Sequence, residues 1–412
     1  MTSGSLALDG DRPGGRASGV RIITLVSSAH LLSHFYQLAL PPLFPLLRLE
    51  LDVSFVALGA LMTVFYSASA FGQTISGFLV DRFGARRILL GGLSLFAGAI
   101  ALAGLSASYV MLTGAMLLAG LGNSVFHPAD YSLLNAAVSP RRLGRAYSTH
   151  SICGNIGWAL SPVVVGGLAA TLGWRAALVS VGGLGLVAAF VLAQQRALEE
   201  SQPAPRGAGG SAGLLADVRF LLATPILMAF AYFTLLASSL SGVQTFSVTV
   251  LVALYQTPLA LATGALTAYL TGSAAGILTG GILADRTSRH ALVAGAGMLL
   301  AAALTLVLAS GAPAPMLLTP LMALVGFAKG VTAPSRDLLV RAATPAGSSG
   351  KVFGFVYSGL DLGSLAMPPV YGWLVDRGEP RAVFVVAAAL MVLTILTVLE
   401  VRRHGAPARA RA

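Results

Sequence analysis

Titratable side chains are scarce in this chain, and several stand where they can do chemistry. His30, His34 and Gln37 follow at i, i+4 and i+7, a spacing that lines three polar side chains along one stripe of a helix. Imidazoles in such a stripe can hold a polar solute or exchange protons, since histidine titrates near neutrality; histidines bonded to neighbouring carbonyls are the plainer alternative. His127-Pro128-Ala-Asp130 sets an imidazole and a carboxylate at i, i+3, where the two should meet, and Pro128 should free a backbone carbonyl. Asp130 lies about ten residues from the nearest loop, roughly 15 Å along a helix, and an unpaired carboxylate at that depth binds a proton readily. Lys329 and Asp361 stand at comparable depth on two successive apolar segments. Gln73, His150, Asn155 and Gln244 are further polar side chains inside apolar runs, suited to lining a cavity or to hydrogen bonding between helices. No nucleophile-base-orienter set or metal constellation stands out, the one cysteine, Cys153, reads as a small core residue, and the glycine-rich stretches precede no phosphate-binding lysine. An enzyme, a resident metal and a cofactor are therefore not expected.

The segments that carry these residues are too apolar for water. Hydrophobic residues make up 56% of the chain and charged ones 10%, with a mean hydropathy of +0.82, so the solvent must be lipid. At about 20 apolar residues per span the sequence predicts an all-α polytopic membrane protein of about twelve helices. They fall near 22–46, 55–80, 88–106, 109–135, 147–171, 175–195, 219–247, 259–284, 291–309, 315–340, 352–375 and 382–400. Pro41, Pro42 and Pro45 should kink the outer part of the first. The net charge of +11 is one of topology: arginines crowd alternate loops (Arg82, Arg86, Arg87, Arg141, Arg142, Arg145, Arg286, Arg289), whereas the opposite loops hold only Arg48, Arg175, Arg377 and Arg381. That bias places both termini in the cytoplasm and removes the case for a nucleic-acid partner. The first twenty residues read as a disordered tail rather than a signal peptide.

The chain repeats itself at half its length. At an offset of 206, Gly120 maps to Gly326, Pro128 to Pro334, Arg145 to Lys351, Gly157 to Gly363 and Pro162 to Pro368. At 204, the polar knot Gly77-Phe-Leu-Val-Asp81-Arg82-Phe-Gly84-Ala-Arg86-Arg87 recurs as Gly281-Ile-Leu-Ala-Asp285-Arg286-Thr-Ser-Arg289-His290. Each knot reads as a cytoplasmic hairpin clamp, its glycine allowing close helix approach and its carboxylate pairing with arginines across a helix end. The repeat predicts two six-helix bundles, 21–195 and 219–400, about a site near the bilayer midplane. A polar linker at 196–218 joins them, and tails at 1–20 and 401–412 flank them. The repeat mates of Lys329 and Asp361 are Asn123 and Asn155. An amide pair facing an ion pair suggests that these positions touch in both halves, with Lys329 and Asp361 forming a buried pair that is either fixed or opened by an anionic substrate or a proton.

Together these features resemble the major facilitator superfamily of secondary transporters, whose signature loop between helices 2 and 3 matches the first knot, and the resemblance covers essentially the whole chain. Within it, Gly120-Leu-Gly122-Asn123-Ser-Val-Phe-His127-Pro128-Ala-Asp130, Ser33-His34-Phe35, Gly144-Arg145-Ala-Tyr-Ser148 and Gly154-Asn155-Ile-Gly157 are similar to the fosmidomycin-resistance branch. That resemblance implies export of small toxic compounds in exchange for protons, with His127 and Asp130 in coupling or gating roles. Two departures stand out. Met116 replaces an arginine that many proton-driven facilitators carry, and the antiporter motif of the fifth span survives only as Ser161-Pro162-Val-Val-Val-Gly166-Gly167. The expected function is secondary active transport of a small organic molecule across a prokaryotic inner membrane by a monomer among membrane lipids, as proton-coupled efflux. Uptake or symport of a small organic anion is the alternative, and a non-transporting membrane sensor a remote one. If the first knot is a clamp, Asp81→Asn should impair transport while the protein still reaches the membrane fraction; loss of insertion would make it a folding element instead.

Overall fold

The computed structural model describes residues 13–139, 142–198, 222, 224–342 and 349–405. All regular structure among them is helical: α1 (Pro13–Gln37), α2 (Phe44–Leu51), α3 (Phe55–Phe83), α4 (Ala85–Gly104), α5 (Tyr109–Asn123), α6 (Phe126–Ala137), α7 (Leu143–Leu172), α8 (Trp174–Ala193), α9 (Thr224–Tyr255), α10 (Leu259–Arg286), α11 (His290–Ala309), α12 (Leu318–Ala342), α13 (Ser349–Asp376) and α14 (Pro380–Gly405), with short 3-10 turns between some of them. Ten stretches are long and apolar enough to cross a membrane, α5 and α6 counting as one. Of the others, α1 and α13 have the length to span and carry the polar positions His30, His34, Gln37 and Asp361. Side chains such as Leu184, Val187, Phe190, Leu299 and Leu396 are more than half exposed around the outside, as lipid contact demands and water would not tolerate.

Proline chemistry sets the two interruptions. Pro41 and Pro42 cannot donate to the helical ladder, so α1 stops at Gln37 and resumes through a 3-10 turn at Pro41–Leu43 as α2. Pro128 likewise lacks the N–H that would bond the Ser124 carbonyl, and α5 gives way to α6 across Ser124 and Val125. Ser124 then donates its hydroxyl to the Leu121 carbonyl at 2.7 Å and lies 3.1 Å from the Ser76 hydroxyl. Pro334, the repeat mate of Pro128, sits inside an unbroken α12.

Glycines let backbones touch. A Cβ on Gly120 would overlap the Phe65 carbonyl and one on Gly326 the Tyr269 carbonyl, the same contact in each half; Gly157 and Gly363 repeat it against the Leu31 and Thr234 carbonyls. Gly272, Gly276 and Gly280, one turn apart, seat α10 on α12 against the carbonyls of Ala323, Phe327 and Val331, the small-residue packing that lipid favours. The knot glycines do not serve this purpose. Gly77 and Gly281 have nothing within 4 Å of a would-be Cβ, because on α10 it is the neighbouring Gly280 that faces the partner helix.

Between the halves, α3 packs on α13 and α7 on α10. Thr63 Oγ1 donates to the Leu365 carbonyl at 2.7 Å and Thr267 Oγ1 to the Ala159 carbonyl at 2.9 Å. Arg48, Arg175, Arg377 and Arg381, the four expected opposite the basic loops, lie at the helix ends away from the knots. Arg48 reaches Asp376, Arg175 bonds Glu50 at 2.8 Å, Arg377 stacks on Trp373, and Arg381 lies against Gly311. The Trp174 indole and then Arg175 hold the Glu50 carboxyl below its usual range by donating to it. The helical boundaries overrun three expectations: α1 begins at Pro13 within the presumed tail, α9 continues to Tyr255, and α14 reaches Gly405. Most of the linker, 199–218, and the tails 1–12 and 406–412 lie outside the described residues, as do the side chains of Asp81, Arg145 and Lys351.

A Gly326→Ala protein should lose about 3 kcal/mol or more of stability through overpacking, read as a drop in Tm in detergent. Gly281→Ala should leave Tm unchanged or slightly raised, as a helix-favouring substitution in open space does.

Candidate functional site

The polar residues of the first half converge where the broken α5–α6 segment meets α1 and α7. Asp130, on the second turn of α6, is 0% exposed. One of its oxygens, Oδ2, lies 3.1 Å from His30 Nδ1 on α1 and 3.6 Å from His150 Nε2 on α7. The other, Oδ1, has no hydrogen-bond partner among the described residues, and neither has either ring nitrogen of His150. His30 and His150, 3% and 1% exposed, stack face to face with centroids 3.6 Å apart, and His34 lies 4.3 Å from His30. Gly154 makes this crowding possible, since a Cβ there would come within 2.8 Å of His34 Nδ1 and 3.0 Å of His30 Nε2.

His127 faces outward from this knot. It is exposed, its ring is 5.6 Å from His30 and stacks beside Tyr131 at 6.0 Å, and it does not bond Asp130. The expected His127–Asp130 contact is thus replaced by His30–Asp130, because helical twist across the first turn of α6 turns Asp130 inward and His127 toward open space. Ring nitrogens of His30, His127 and His150 lie within 4.8 Å of one another, a spacing one water can bridge. The same three each offer one ligand atom and could also hold a metal ion, a constellation that the sequence did not lead us to expect. The arrangement suits a proton path: an accessible imidazole outside, a stacked pair within, and a buried carboxylate at its end.

A second chain of bonds fixes the rest of the stripe. Trp158 Nε1 donates to Gln37 Oε1 at 3.1 Å, Gln37 Nε2 to Asn123 Oδ1 at 3.1 Å, and Asn123 Nδ2 to Ser69 Oγ at 2.8 Å. His34 packs on Trp158 at 4.2 Å. Four helices are tied at one level, and the end of α5 is held where the chain breaks. Met116 is 2% exposed among apolar side chains.

In the second half the expected ion pair is not made. Lys329 Nζ donates to Ser273 Oγ at 3.4 Å, and no Lys329–Asp361 contact falls within ion-pair distance among the described residues. The reason is packing: α12 lies on α10 and α11, whereas α13 lies on α9 and α3, so Asp361 comes within electrostatic reach of Tyr66 on α3. The amide mates do not meet either, for Asn155 bonds its own helix at the Ser151 carbonyl (2.9 Å). Gln73 and Gln244 are half-buried and make no side-chain hydrogen bond among the described residues.

At the knots, Arg86 donates to the Ala193 carbonyl at the end of α8, Arg82 lies over the Phe83 ring, and Arg87 is exposed. Gly84, at φ +89°, makes the turn between α3 and α4 that an L side chain would strain. In the second knot, Thr287 Oγ1 accepts from the Arg289 backbone, while Asp285 and Arg286 form no ion pair among the described residues. Sequence reasoning missed Trp158, Ser69 and Tyr66. An indole N–H in a span requires an acceptor, and that was the one signal present for Trp158.

The sequence profile of the Major Facilitator Superfamily matches residues 26–264 and 242–412. The chain is 30% identical over 143 residues to the fosmidomycin resistance protein of Escherichia coli (strain K12). It is 26% identical over 145 residues to the uncharacterized MFS-type transporter YfnC of Bacillus subtilis (strain 168), and 30% over 150 residues to the probable 4-methylmuconolactone transporter of Cupriavidus pinatubonensis. Each match spans 35% of the relative's length. Among solved structures, the fold is shared with a bacterial homologue of the human lysosomal transporter Spinster in an inward-facing, occupied conformation (TM-score 0.71, 14% identity, 94% of this chain and 96% of that one). It is also shared with the nucleoside transporter NupG (TM-score 0.76, 14% identity, 92% and 99%). With matches that together take in nearly all of its length, the chain is a multi-pass membrane protein belonging to the Major Facilitator Superfamily.

Proposed function

We propose that this protein is a proton-coupled secondary transporter that exports a small organic molecule across the inner membrane of a prokaryote, with Asp130, His30 and His150 as its coupling centre. The observation that carries this reading is Asp130: fully buried, sharing one oxygen with His30 and leaving the other without a partner among the described residues. A carboxylate so placed gains by binding a proton and by giving it to a neighbouring imidazole, so it can exist in two states that a substrate or a rocking motion can select between. His127 supplies access from the cavity side, and the Gln37–Asn123–Trp158 chain lines the wall where a substrate would dock. The partial similarity to the fosmidomycin resistance protein supports efflux of a small compound.

Both termini are cytoplasmic in this reading, following the arginine bias. The end at Phe55 and Asp376, where backbone bonds join the halves, is then extracytoplasmic. The protein works as a monomer among lipids. Uptake of a small organic anion is the second reading, favoured by Lys329, a half-buried cation whose one described partner is the Ser273 hydroxyl.

Everted vesicles energised to an acidic interior test both. Particular compounds from a cationic, neutral and anionic panel should collapse the pH gradient, and Asp130→Asn should abolish the response by at least about a hundredfold in initial rate, the scale of losing an essential acid-base group. A wild-type protein that is inserted but silent, with Lys329→Gln abolishing accumulation of an anion in whole cells, would establish uptake instead.

A further inference from the structure

The motif Gly77-Phe-Leu-Val-Asp81-Arg82 has a third copy, Gly372-Trp-Leu-Val-Asp376-Arg377, at the opposite end of the bundle from the two knots. Its aspartate caps a helix of the other half. The first turn of any helix leaves backbone N–H groups without intrahelical acceptors. In α3 the Ser54 hydroxyl takes the Ala57 N–H at 3.1 Å, and Asp376 takes the two before it: Phe55 N–H donates to Oδ1 and Val56 N–H to Oδ2, each at 2.8 Å. Arg48 Nη1 approaches the same carboxylate at 3.4 Å while its guanidinium lies over the Phe55 ring at 4.6 Å. The backbones are close enough for this because Gly372 admits the Phe55 carbonyl and Gly59 the Pro368 carbonyl.

Both backbone bonds to Asp376 cross between the halves, so neither can persist when this end of the bundle opens. A carboxylate on a helix N-terminus gains from the N–H groups and from the helix dipole together, and it can be rehydrated when the halves part. We propose that Asp376 is a positioning residue of the transport cycle, a carboxylate latch that caps α3 across the interface and holds this end shut while the other is open. The inference rests on the transporter reading above, but not on its coupling ion or substrate.

Distance measurement by double electron–electron resonance on the full chain in lipid nanodiscs tests it. Spin labels go at Leu49 and Met316, 80% and 79% exposed, on opposite halves at this end, with Cys153→Ser as background. Asp376→Ala should raise the population with the labels far apart about fivefold, the equilibrium shift expected for a lost helix cap. Asp376→Glu should restore most of the short distances, and Thr63→Val, which breaks an interhalf bond away from the helix end, should shift them less than Asp376→Ala. An unchanged distribution in Asp376→Ala, or equal shifts in Asp376→Ala and Asp376→Glu, would overturn the latch. If Asp376→Ala does not fold, the near-isosteric Asp376→Asn is judged by the same two outcomes. A failed latch leaves the pH-gradient response intact, and failed proton coupling leaves these distances as predicted.

Discussion

A carboxylate that is wholly removed from water in the middle of a membrane bundle must be neutralised, hydrogen-bonded or both, and in this protein Asp130 imposes that demand on everything near it. His30 and His150 must stand within reach, which brings α1 and α7 together. Gly154 leaves room for the rings of His30 and His34 beside this stack. Asp130 itself must be turned inward, and the break before α6, enforced by Pro128, resets the helix so that it is. Within about two turns of helix the local sequence makes sense as one solution to one electrostatic problem.

The second half solves a different problem on the same scaffold. The glycine contacts Gly120–Phe65 and Gly326–Tyr269 show how closely the backbones repeat, yet where the first half has a broken helix and a buried acid, the second has a continuous α12 with Arg336 at the matching position, bonded to Asp337 and lying over Phe233. In the function proposed above, this divergence divides the labour, with proton chemistry in one bundle and a cationic contact, Lys329, in the other. The halves meet through carbonyl-to-glycine contacts, interhalf hydrogen bonds and the buried Phe44–Phe246 ring contact.

Much of this was legible in the sequence, for physical reasons that also mark its limits. The helical segments and the kink at Pro41 and Pro42 could be read because apolar run length and a missing N–H act locally; at Pro128 only a freed carbonyl was expected, within a single span 109–135, and the helix breaks there. The polar stripe of His30, His34 and Gln37 could be read because i, i+4 spacing is a property of one helix. What could not be read is which residue a side chain meets across helices. Local spacing pointed Asp130 at His127, but its partner is 100 positions away. The repeat suggested that Lys329 and Asp361 touch, on the assumption that consecutive helices pack, and here α12 and α13 each pack on other neighbours. Gly281 rather than Gly280 was singled out because a motif marks a position, whereas the face a glycine presents depends on how the helix is rotated in the bundle.

In the coupling role proposed above, Asp130 changes protonation state under the control of its histidines. Difference infrared spectroscopy of the purified protein in lipid, followed across pH, measures this directly through the carbonyl band of a protonated carboxyl group. A titrating band that disappears in Asp130→Asn and changes its midpoint in His30→Gln is the predicted result. A band set that is identical in wild type and Asp130→Asn at every pH would mean that Asp130 stays in one state, and the coupling role would be contradicted.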